Sequence, residues 1–108
     1  VSEHNSNVRE ASFELLLQLA ELEQLVYAAH YDQDTERGNP RVGWVTVGLV
    51  TDLSIACGAQ VRHSALALKD VWGEHWSGLP DERVSADAVV AAIDETRSQV
   101  QQVLLQLD

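Results

Sequence analysis

Wound at about 100° per residue, the segment from Pro40 to Trp76 carries two separate apolar lines. Val42, Leu49, Val50, Leu53, Cys57, Val61, Leu68, Val71 and Trp72 gather on one broad side. Trp44, Ile55 and Leu66 recur every eleventh residue on another, with the small residues Gly48, Ala59 and Gly73 along the same line. A ridge with gaps suits close approach of a second helix, so the pattern predicts one long helix with a surface to spare. Its first half, Trp44 to Thr51, is rich in β-branched residues and alone resembles a strand. No other strand-like run exists to pair with it, and the helical lines continue in phase through Leu68. Gly43, Gly48 and Gly58 each weaken a helix by about 1 kcal/mol relative to alanine, which marks them as places for a bend.

The first helix is predicted from about Asn7 to Tyr31, capped by Asn5 or Ser6, with Val8, Ala11, Leu15, Leu19, Leu22, Val26 and Ala29 on one face. Phe13, Leu16, Leu17, Ala20, Tyr27 and Tyr31 widen its apolar arc beyond what one neighbouring helix needs. The polar run Asp32–Asn39 then forms a turn, ending on Asn39 as N-cap and Pro40 at the first helical position. Counted from Asp32, its sixth residue is Arg37 rather than glycine and its twelfth is Gly43 rather than glutamate, which argues against a calcium loop. Trp76-Ser77-Gly78-Leu79-Pro80 stops the long helix. The last helix starts after Asp81 or Ser85 as cap and runs to Leu107, with Ala86, Val89, Val90, Ile93, Val100, Val103, Leu104 and Leu107 on one stripe. Asp87, Glu95, Gln99, Gln102 and Gln106 make its solvent face.

A central helix near 54 Å would overhang flanking helices of roughly 36 Å. Either it breaks in two to give a four-helix bundle, or two chains pair to bury the overhang. The reading adopted is the second: an all-α, single-domain, three-helix chain with a long central helix, pairing into a homodimeric helical bundle.

Composition narrows the partners. With 108 residues the chain holds one core, and 7 basic against 17 acidic residues give 7 − 17 = −10, a balance that disfavours nucleic acid and anionic membranes and favours basic partners. Its single cysteine, Cys57, excludes an internal disulfide and falls on the main apolar side, where it reads as a small buried hydrophobe. The start, Val1-Ser2-Glu3-His4, lacks a basic region followed by an apolar run, and no apolar stretch is long enough to span a bilayer. A cytoplasmic location is the expectation.

Candidate chemistry is thin. Asp52, His63, Asp70 and Glu74 share a polar strip with Arg62 and Lys69, but no Glu-x-x-His repeat accompanies it, so a solvated face is the simpler reading. Glu10 with Glu14, Asp70 with Glu74, and Glu21 with Glu23 do not form the Glu-x-x-Glu and Glu-x-x-Asp pair of helical nucleotide pyrophosphatases. His63 lacks the neighbours of a phosphorelay histidine, and no Gly-x-Ser-x-Gly turn exists. Trp76-Ser77-Gly78 is similar to the Trp-x-Gly turn of small secreted helical-hairpin proteins, without their C-terminal secretion tail. Trp72 and Trp76, four apart, suit either a binding hot spot or a core plug. No catalytic, cofactor-binding or metal-binding residue is assigned.

Taken together, the size, acidity and three helices with a long apolar centre resemble the small helical antiactivators of quorum sensing over the whole chain. That resemblance implies a homodimer that binds a LuxR-type transcription activator such as LasR, covers the surface the activator uses to dimerise, and so blocks DNA binding. Self-association and partner contact are expected at Phe13, Leu17, Tyr31, Trp44, Gly48, Ile55, Ala59, Leu66, Trp72 and Trp76. The competing readings are a small helical metal-dependent enzyme and an acidic mimic of DNA.

Overall fold

A computed structural model describes residues 3–107, and among them it contains four α-helices and no strand: α1 (Glu3–His30), α2 (Pro40–Ser54), α3 (Ala59–His75) and α4 (Arg83–Gln106). Single 3-10 turns, Ile55–Cys57 and Trp76–Gly78, follow α2 and α3. Asn39 opens α2 as its sequence predicts, its side chain accepting from Arg41 N at 2.9 Å with Pro40 at the start of the helix.

The expected unbroken helix from Pro40 to Trp76 is corrected, and with it the three-helix count. The chain reverses at residues 55–58, where Gly58 takes φ 96° and ψ 169°, a conformation essentially restricted to glycine. Reversal frees carbonyls at the end of α2, and they find new partners. Thr51 O accepts from Arg62 Nη1 at 2.7 Å and from Ser54 Oγ at 2.6 Å, so the guanidinium of α3 clamps the negative end of α2. Arg62, expected on a solvated strip, is instead drawn into the hairpin.

The four helices run up-down-up-down. Trp44 meets Trp72 and Arg62 meets Thr51 between α2 and α3; Thr96 meets Ser64 and His75 meets Ser85 between α3 and α4; Glu23 meets Arg97 between α1 and α4. Each helix packs against its two neighbours in the ring, giving a particle of 47 × 21 × 18 Å. The overhang predicted for the central helix therefore belongs to α1 and α4, at 28 and 24 residues, while α2 and α3 have 15 and 17. Length no longer argues for pairing with a second chain.

The core takes Leu15, Leu19, Leu22 and Val26 from α1, Val50 from α2, Val61 and Leu68 from α3, and Val89, Ile93 and Val100 from α4. Two boundaries and one face move. α1 begins at Glu3, so Asn5 and Ser6 lie within it rather than capping it. α4 begins at Arg83, and the Ser85 hydroxyl shares a hydrogen bond with His75 Nδ1 at 3.0 Å instead of capping. Val42 and Leu49, assigned to the main apolar side, are exposed because α2 turns that edge away from α3. Buried hydroxyls fill other core positions by bonding back to their own helix: Thr46 to Val42 O at 2.9 Å, Thr51 to Gly48 O at 2.8 Å, Thr96 to Ala92 O at 2.9 Å.

At the end of the bundle holding both longer loops, His30 Nδ1 donates to Leu79 O at 2.8 Å and Gln33 Nε2 donates to Pro80 O at 2.8 Å, tying the loops together. At the opposite end Cys57 is buried, its thiol donating to Leu53 O at 3.4 Å with Ser12 Oγ 3.6 Å from the sulfur. Burial pushes the thiol above its ordinary 9.0, and the contact with Ser12 offsets part of that rise. A group whose folded pKa is raised stabilises fully below its unfolded value and loses that contribution as pH climbs through the folded one. The urea midpoint should therefore fall more steeply above about pH 9 in the wild type than in Cys57→Ala. Parallel pH profiles would remove the thiol from the account.

Candidate interaction surface

The α2–α3 hairpin presents the largest cluster of aromatic side chains. Trp44 on α2 faces Trp72 and Trp76 on the far end of α3 and the turn after it, each pair with ring centroids 6.3 Å apart and edge-on geometry at 87° and 65°. Trp72 is 0% exposed and its ring fills the slot opposite Gly43, where any Cβ would overlap it. Of its two alternatives it is the core plug, and it contributes no surface. Trp44 is 41% exposed and stands on the buried Trp72, with the exposed Trp76 against its other side.

Along the same hairpin face, helical spacing places Gly48 beyond Trp44 on α2 and Leu66 and Gly73 on the strip of α3 that faces it. Nothing lies within 4 Å of a Cβ built on Gly48, and Leu66 is exposed. Ile55, 68% exposed, sits at the hairpin tip with the exposed Ala59 just past Gly58. Folding the long helix back thus breaks the straight line first expected: Trp44 and Leu66 stay on the facing strips of α2 and α3, while Ile55 at the tip borders Ala11 of α1.

The remaining expected contact residues lie elsewhere. Phe13 and Leu17 project from the outer side of α1. Tyr31 lies edge-on to Tyr27 at 5.9 Å and to His30 at 4.7 Å, in a shallow groove shared with Ala86, Asp87, Val90 and Asp94 of α4. The Tyr27 hydroxyl donates to Glu23 at 3.4 Å, and that carboxylate's charge, before burial, holds the phenol above its ordinary pKa. Glu23 and Asp94 are themselves bridged by Arg97 at 2.9 and 2.8 Å, one guanidinium for two carboxylates, so the groove stays mildly acidic.

Asp52 is separated from His63, Asp70 and Glu74 by the reversal at Gly58, and the polar strip drawn from Asp52 to Glu74 is split between two helices. Among the described residues, no group of three or more His, Cys, Asp or Glu side chains is placed to hold a metal ion, and no helix is long and apolar enough to cross a membrane. Exposed Val45, Val84 and Leu105 were not singled out from the sequence. Val45 carried a signal, since it sits three residues from Val42 and four from Leu49 on one edge of α2; Val84 and Leu105, near the ends of α4, carried none. Comparison with protein-family models, curated proteins and solved structures gives no match to this chain.

Proposed function

We propose that this chain is a protein-binding regulatory module of the QslA-like antiactivator kind, working in the cytoplasm as a homodimer. It sequesters a LuxR-type transcription activator such as LasR by covering the surface on which that activator dimerises, and it turns over no substrate. The observation that carries this reading is the exposure of Trp44, Leu66 and Ile55 on the α2–α3 hairpin of a molecule with a net charge of −10. Singly exposed apolar residues are ordinary, but several aromatic and aliphatic groups exposed on one hairpin suit association, and the surrounding acids keep the molecule dispersed and speed encounter with a basic partner. An acidic mimic of DNA fits less well, because the carboxylates are spread over all four helices rather than ordered on one face.

Ile55→Asp tests the proposal. It is expected to convert the dimer to a monomer by light scattering with helical circular dichroism unchanged, and to weaken a stoichiometric complex with purified LasR, restoring LasR binding to DNA. A variant that stays dimeric and still blocks DNA binding would overturn the assignment of this face; wild type that forms no complex would overturn the antiactivator reading itself.

A further inference from the structure

Resting on the reading of the chain as a binding module, we infer that the groove between α1 and α2 is a second seat beside the hairpin, and that its occupant is a basic amphipathic helix of about three turns on the partner. The groove has two unlike walls. Val42, Val45 and Leu49 of α2 follow one another three and four residues apart and are all exposed, with Val45 at 65% and Leu49 at 43%; Leu53 continues the row, half-buried. On α1, Glu10, Glu14, Leu17 and Glu21 recur four, three and four residues apart along the edge that borders α2, and all are exposed.

The antiparallel register sets these walls side by side. Ala11 shares a hollow of about 380 Å³ with Leu49, Leu53 and Ile55 at one end, while Gly38, just before α2, meets Ala29 at the other. Glu14 therefore stands level with Asp52 and Leu53, Leu17 with Leu49, and Glu21 with Val45. On the side that faces α4, Arg97 offsets part of the charge of Glu23 and Asp94, whereas Glu10, Glu14, Glu21 and Asp52 take part in no ion pair among the described residues. Glu14 is held only by Gln18 Nε2 at 3.1 Å, a neutral partner.

An oily wall beside an unneutralised acidic one selects a helix with leucine-like residues on one face and lysine or arginine on the flank. Val42 to Leu53 spans about 16 Å, which matches some eleven residues of helix. The hairpin face lacks this pairing: Lys69 and Arg62 are the charged side chains of α3 on that side, and its aromatic row favours another apolar surface, including a second copy.

The test uses the full chain and a fluorescent synthetic peptide of about 15 leucines and lysines arranged to be amphipathic as a helix. Two controls accompany it, one with the same composition in scrambled order and one with glutamate replacing lysine. Fluorescence anisotropy should show saturable binding of the first peptide, and affinities at least about tenfold weaker for both controls. Leu49→Asp and Glu14→Lys should each weaken the first peptide about tenfold or more, while Asp70→Lys on α3 changes it less than about twofold. Equal losses in Glu14→Lys and Asp70→Lys would reduce the effect to net charge and overturn the inference, as would the absence of saturable binding. If Leu49→Asp instead splits a homodimer, the groove belongs to a second copy and the inference fails. Because the peptide replaces the activator, failure here is separable from failure of the antiactivator reading.

Discussion

Trp72→Ala is expected to cost about 3–5 kcal/mol of folding stability, a large share of the roughly 5–15 kcal/mol that holds a domain of this kind together. The indole is fully buried, fills the slot left by Gly43 and supports the Trp44 ring, so its loss leaves a cavity between α2 and α3 that backbone shifts only partly close. Urea unfolding followed by circular dichroism measures it, with the midpoint falling and the slope kept. Trp72→Phe should lose less than about 2 kcal/mol, because the buried Nε1 has no hydrogen-bond partner among the described residues and phenylalanine removes that unpaired donor while keeping much of the ring. Equal losses in the two variants would show that a feature both lack, the indole N–H, and not ring volume, decides the cost.

Gly58→Val is the second large effect, about 1–3 kcal/mol with the β-branched side chain at the upper end. No atom lies within 4 Å of a Cβ at this position, so the loss arises from φ 96° alone and not from a clash. The paired control is Gly48→Ala, which also meets open space but sits inside α2 and should be neutral or stabilising by up to about 1 kcal/mol. A Gly58→Val protein as stable as the wild type would mean that the turn tolerates an ordinary conformation.

α1 and α4 were legible because each buries one face against a single core, and the apolar period of Leu15, Leu19, Leu22, Val26 and of Ala86, Val89, Ile93, Val100 marks that face directly. The reversal between α2 and α3 was not. Val50, Cys57, Val61 and Leu68 stay in phase across Gly58, so the same periodicity describes one straight helix or two folded together. What decides between them is tertiary: the carbonyl of Thr51 accepting from Arg62, eleven residues on, and a glycine conformation that composition does not announce.

Side-chain chemistry hid part of the core in the same way. Thr46, Thr51 and Thr96 read as polar, yet each satisfies its hydroxyl against a carbonyl of its own helix and packs its methyl inward. Trp72 and Trp76 are indistinguishable by spacing, and Gly43 on the opposing helix determines which is swallowed. The eleven-residue recurrence of Trp44, Ile55 and Leu66 picked out three exposed residues but not their separation by the turn, whereas the acidic wall beside Val45 and Leu49 needed the antiparallel register of α1 and α2 to become visible.

The turn at Gly58 also divides the chain into two helical pairs, each joined by its own loop. If that turn opens, α1 with α2 and α3 with α4 keep their internal packing and lose only what one pair gives the other. Two opened chains then recover those losses by trading halves, using contacts the closed chain already has and requiring no newly evolved interface. A single small residue thereby stands between a self-contained molecule and an entangled twin.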